Sequence, residues 1–135
     1  MVVYRPRIIF SAAITLDGKL ATRTGDSKLS SKVDKNRVHK LRSKVDAILI
    51  GKNTAKLDDP ILSVHHAKKK NPIRIILDSN ATIQNNSRIL RTSSKIPTII
   101  VVAERASKKK LTKIRKISCS DYNMWEAQDK YKKIT

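Results

Sequence analysis

Glycine and cysteine are scarce in this chain, and each scarcity closes off a class of chemistry. Of 135 residues, three are glycine and one is cysteine. Gly18, Gly25 and Gly51 lie too far apart for a G-x-G-x-x-G dinucleotide loop or for the glycine pair of a P-loop. A single cysteine, Cys119, excludes an internal disulfide and a cysteine-based metal cluster. It sits among serines without an evident histidine partner, so nothing marks it as a nucleophile. No G-x-S-x-G is present. Aromatic residues are 4% of the chain, so its core must rest on Ile, Leu and Val. No apolar run approaches the roughly 20 residues of a membrane span. No signal-peptide pattern opens the chain, so a cytoplasmic location is expected. Acids are also scarce, at 11 against 30 Lys and Arg, which gives a formal net charge of +19.

That charge admits two readings: a nucleic-acid partner, or solvated basic faces together with a polyanionic small ligand. The basic residues are spread along the whole chain rather than gathered in one arm. Lys68-Lys69-Lys70 and Lys108-Lys109-Lys110 are short runs beside turn or helix signals. This distribution favours solvated faces over a nucleic-acid patch. The length suits a single domain with a modest core.

Short apolar runs define the expected elements. Arg7 to Ile14 reads as a first strand, with the turn signal Asp17-Gly18 after it. Ser30 or Ser31 can cap a helix running to about Lys44, with Asp34 near its third position. Val33, Val38, Leu41 and Val45 then share a face. Ala47-Ile48-Leu49-Ile50, ended by Gly51, reads as a buried parallel-type strand. Ile73 to Leu77 and Thr98 to Val102 read the same way, each just after a proline, Pro72 and Pro97. Residues 61–71 read as loop, and Ser107 to Ile117 as a basic helix. Strands alternating with helices imply an α/β fold with a mostly parallel sheet. In such sheets ligands gather beyond the carboxyl ends of strands. Asp17, Thr54, Asp58 and Ser79 all fall just after expected strands.

Individually, the motifs are weak. Gly51-Lys52-Asn53-Thr54 is either an anion-approaching turn or a plain turn. Asp58-Asp59-Pro60 is a turn, a ligand contact or a metal site, although adjacent carboxylates on extended chain diverge. His65-His66 diverge in the same way and have no Cys or Glu partner nearby. His39 falls on the expected helix. Tyr122 and Trp125 lie in a polar tail and could stack bases. No nucleophile–base pair is evident.

Taken together and in order, Thr15-Leu16-Asp17-Gly18-Lys19, Gly51-Lys52-Asn53-Thr54, Leu57-Asp58-Asp59-Pro60 and residues 71–79 resemble the pyrimidine reductases of riboflavin biosynthesis. The resemblance covers roughly residues 6–117. It implies a dihydrofolate-reductase-like three-layer α/β fold, incomplete at its C-terminal end, and usually a homodimer. It implies an oxidoreductase that uses NADPH, without a metal, on a phosphorylated pyrimidine. Hydride would pass to C1′ of a ribosylamino-pyrimidine 5′-phosphate and leave a ribityl chain. By the same resemblance Thr54, Asp58, Asp78, Ser79, Asn80 and Ala81 match cofactor-binding positions, as do Ala13 and Leu29. Ser27 and Leu62 align with substrate contacts. His65 stands where many relatives carry a phosphate-binding Arg, and Ser11 where they carry Lys or Asn on the first strand. Whether the substrate is the diaminopyrimidinone or its deaminated form is left open.

The family-like pattern ends near Ile117. Residues 1–117 are therefore expected to be the N-terminal part of a reductase domain, and 118–135 a polar tail without an apolar strand run. A reading-frame shift fits that tail. Met124-Trp125 have single codons, and a one-nucleotide shift turns them into Cys-Gly. The same shift turns Asp121, Tyr122 and Asn123 into Ile or Thr, which reads as a strand and turn. A half-domain completed by a separate partner, and a basic nucleic-acid module, are the alternatives.

Overall fold

The computed structural model describes residues 5–24, 29–64, 71–117 and 125–126. The chain divides into two units, Met1–Val38 and His39–Thr135, and the division falls inside the first helix. That helix, α1, is Lys32–Arg42. It starts where expected because the Ser31 hydroxyl accepts the Asp34 N–H at 3.2 Å. Arg37 pairs with Asp34 at 2.8 Å one turn on. The carboxyl of Asp34 is held below its ordinary range, first by the Ser30 side chain and then by Arg37.

Residues 5–14 form no strand, contrary to the reading of 7–14 as one. Ile8 and Phe10 are 84% and 88% exposed. An apolar run becomes a strand only when another strand takes up its N–H and C=O groups. The ladders found among the described residues run between other segments.

The second unit is built on β1 (Ala47–Gly51), β2 (Ile73–Leu77), β3 (Thr98–Val102) and β4 (Trp125–Glu126). They form one sheet in the order β1-β2-β3-β4, and every pairing is parallel. The helices between them are α2 (Lys52–Leu57), α3 (Arg88–Arg91) and α4 (Lys108–Ile117). The strands at 73–77 and 98–102 match their expected bounds, and β1 and α4 differ by one residue. β4 comes from the polar tail, where no apolar run announced a strand. Its two residues join by backbone pairing beside Val101 and Val102.

One face of the sheet is sealed. Ile76, Ile100 and Val102 point into a core with Ile89 and Leu90 of α3 and Leu111 and Ile114 of α4. On the other face Leu49 and Leu77 remain 59% and 44% exposed. β1 is thus not the buried strand its composition suggests. Among the described residues it is an edge strand, paired only with β2, and its side chains alternate between half-buried and exposed.

Arg74 lies on the sealed face and is fully buried. Its Nε donates to Thr98 Oγ1 at 2.9 Å. Nη1 donates to Ile61 O at 3.0 Å and Thr92 Oγ1 at 2.8 Å. Nη2 donates to Ile89 O at 2.9 Å and Ile96 O at 3.1 Å. The partners are neutral oxygens rather than a carboxylate. Burial pulls the guanidinium down to about 10, so it remains charged at neutral pH. A buried charge costs several kcal/mol unless its donors are satisfied, and here all five N–H groups have acceptors.

Three of those acceptors are backbone carbonyls, which no substitution removes. Arg74→Met should therefore destabilise the fold by about 3–5 kcal/mol in urea denaturation. Ile76→Ala, at a fully buried position, should cost about 2–5 kcal/mol by the same measurement.

Candidate functional site

The carboxyl ends of β1, β2 and β3 lie side by side, and the segments leaving them form one rim. After β1 the chain enters α2 directly. Gly51 precedes that helix at φ −84°, a value open to any residue, and a Cβ there would meet nothing within 4 Å. Thr54 is exposed on α2, and its carbonyl accepts the Asp58 N–H at 3.0 Å. Asp58 is exposed just past the helix.

After β2 comes a turn over 78–81, closed by Ala81 N–H to Asp78 O at 3.0 Å. Asp78 is fully buried. Its carboxylate accepts the backbone N–H groups of Thr82 at 2.5 Å and Ile83 at 2.7 Å, and the Thr82 hydroxyl at 2.9 Å. Ala81 is buried and left-handed at φ 51°. Asp78 thus shapes the turn, while Ser79 and Asn80 at its corner face solvent.

After β3 comes a second turn, 103–106, closed by Ala106 N–H to Ala103 O at 2.9 Å. The two turns are joined. Ala103 N–H donates to Ser79 O at 3.1 Å, and Arg105 Nε donates to Asn80 Oδ1 at 3.3 Å. A groove of about 470 Å³ adjoins the first turn, lined by Thr82, Gln84, Asn85, Asn86, Lys110 and Lys113, with Ala81 among its other walls.

Thr54, Asp58 and 78–81 therefore belong to neighbouring segments of one sheet edge. Ala13 and Leu29 are half-buried in the first unit. Leu62, aligned with a substrate contact, is 5% exposed in the core at φ 58°. Ser27 and His65 lie outside the described residues, as do His66, Cys119 and Tyr122. Asp59 caps a helix: its carboxylate accepts the Arg88 N–H at 2.8 Å, at the start of α3. Among the described residues no three His, Cys, Asp or Glu side chains converge as metal ligands. Sequence reasoning passed over Arg105. The signal open to it was position: Arg105 lies just past the Thr98–Val102 strand, on the same rim as Ser79.

The family described as the RibD C-terminal domain matches residues 6–132. This chain belongs to that family. A curated relative is the 2,5-diamino-6-ribosylamino-4(3H)-pyrimidinone 5′-phosphate reductase of Methanothermobacter thermautotrophicus. It is 44% identical over 115 residues, which cover 83% of this chain and 52% of the relative. The chain thus spans about half the length of that relative. A solved structure is similar over 71% of this chain and 28% of its own, at 32% identity and a TM-score of 0.62. It is a diaminohydroxyphosphoribosylaminopyrimidine deaminase/5-amino-6-(5-phosphoribosylamino)uracil reductase from Thermotoga maritima. The α/β architecture with its parallel sheet is accordingly the dihydrofolate-reductase-like fold of the RibD C-terminal domain.

Two substitutions separate scaffold from site in this RibD C-terminal domain. Asp59→Ala removes the acceptor at the start of α3 and should lower unfolding stability by about 1 kcal/mol in urea denaturation. Gly51→Ala should leave stability unchanged or raise it by up to about 1 kcal/mol in the same assay, because the backbone there is ordinary and the space is open.

Proposed function

We propose that this chain contributes to an NADPH-dependent reductase acting on a ribosylamino-pyrimidine 5′-phosphate in riboflavin biosynthesis. Family membership supports the reaction class, and the activity of the 44% identical relative supports the substrate. The observation that carries the reading is the pair of joined turns at 78–81 and 103–106 beyond a parallel sheet. They expose a hydroxyl, an amide and a guanidinium in a row, groups that suit the phosphates and riboses of a nicotinamide dinucleotide. Thr54 on α2 extends the same rim.

When bound, the nicotinamide supplies a hydride. That hydride, with a proton, would convert the ribosylamino group to the ribitylamino form. The chain's own part is positioning. The buried Asp78 fixes the turn that presents Ser79 and Asn80, which is how a site without a nucleophile–base pair accelerates transfer. We propose the diaminopyrimidinone as the substrate, after the curated relative, and a homodimer as the working state. Residues 1–117 are proposed as the N-terminal part of the reductase domain, with 118–135 as a polar tail.

Titrating NADPH into the full 135-residue chain, followed by nucleotide fluorescence, should give saturable binding. Ser79→Ala should weaken it about tenfold, the effect of one lost hydrogen bond to a charged group. No saturation at millimolar nucleotide would overturn the reading.

A further inference from the structure

The Arg105 side chain is anchored at one end and open at the other. It is exposed at the second corner of the 103–106 turn, the turn that Ala103 ties to Ser79 O. Its Nε is committed to Asn80 Oδ1, while Nη1 and Nη2 have no hydrogen-bond partner among the described residues. Holding Nε fixes the plane of the guanidinium, so the two terminal nitrogens form a preset fork. A planar fork with free N–H groups matches two oxygens of a phosphate monoester. The exposed Ser79 and Asn80 side chains stand on the adjoining turn. Glu104, on the same turn as Arg105, is the exposed acid beside it.

We propose that Arg105, positioned by Asn80, reads the phosphate that distinguishes NADPH from NADH. The assignment rests on the cofactor reading above and adds a specificity-determining residue to it. The lysines of the nearby groove are the competing cations. Lys110 and Lys113 are exposed on α4, and no side chain among the described residues anchors them. Their flexible stems do not fix a direction, whereas the Arg105 fork is already aimed.

The test measures dissociation constants of NADPH and NADH for the full chain by calorimetry, without reference to turnover. Arg105→Gln should weaken NADPH about ten- to hundredfold, as expected for a lost charge-assisted pair, and change NADH by less than about twofold. Asn80→Ala should produce part of that loss, because it releases the fork without removing it. Thermal melts should be unchanged in both variants, since both residues are exposed. Lys110→Gln with Lys113→Gln should leave the NADPH-to-NADH ratio intact. Two results would overturn the assignment alone: an NADPH-to-NADH ratio unchanged in Arg105→Gln, or a ratio that follows the lysines. Failure of the parent chain to bind either nucleotide would overturn the cofactor reading and this inference together.

Discussion

A guanidinium sealed inside the sheet's covered face sets the geometry of the second unit. Arg74 takes acceptors from the α2–β2 connection (Ile61), from α3 and its end (Ile89, Thr92), and from the approach to β3 (Ile96, Thr98). Ile61 and Ile96 stand in irregular connections, and buried irregular backbone leaves carbonyls without partners. One side chain reaches the carbonyls of Ile61, Ile89 and Ile96 together, and the Thr92 and Thr98 hydroxyls donate to the last two as well. In turn they supply enough oxygen to keep a charge stable without a carboxylate, which few buried cations achieve. The apolar core is built around this polar knot, with Ile76, two residues along the strand, on the same face.

The rim where function is proposed inherits its order from this frame. Asp78 stands two residues beyond Ile76 on the same inward face, and so commits its carboxylate to Thr82 and Ile83. That inward anchor turns Ser79 and Asn80 outward. Three non-glycine residues hold positive φ values: Ala81 on the rim at 51°, Leu62 in the core at 58°, and Asp59, which caps the start of α3, at 38°. Left-handed backbone in ordinary residues persists only where neighbours over-determine it. Arg88 N–H on Asp59, the core around Leu62 and the Asp78 turn provide that determination.

The central strands were legible because a buried parallel strand must be a short apolar run, and Pro72 and Pro97 mark where two of them begin. Helix α1 was legible from its serine cap, and α4 from its basic, helix-like composition. α2 and α3 span six and four residues, too short to show a helical period. The run at 7–14 had strand composition but no strand partner among the described residues, and partnership is not written in local sequence. Arg74 looked like an interruption in Ile73-Arg74-Ile75-Ile76-Leu77, since nothing nearby in sequence shows that five distant oxygens await it. At the site, the resemblance pointed to 78–81 as a block and did not distinguish Asp78, which builds the turn, from Ser79 and Asn80, which face outward. Arg105 was silent because its meaning lies in a bond to a residue 25 positions away.

The all-parallel sheet has a kinetic side. Paired residues such as Ala47 and Ile73, Arg74 and Thr98, and Val101 and Trp125 stand about 25 positions apart. None of the pairings among the described residues is a hairpin, so each of these strands must wait for a long loop to close before any ladder bond offsets its entropy. As it emerges from a ribosome, β1 waits for its described partner until the chain has grown through β2. During that interval Ile48, Leu49 and Ile50 present an unpaired apolar edge. The folding of this chain is therefore most exposed to misassociation before Arg74 has found its carbonyls.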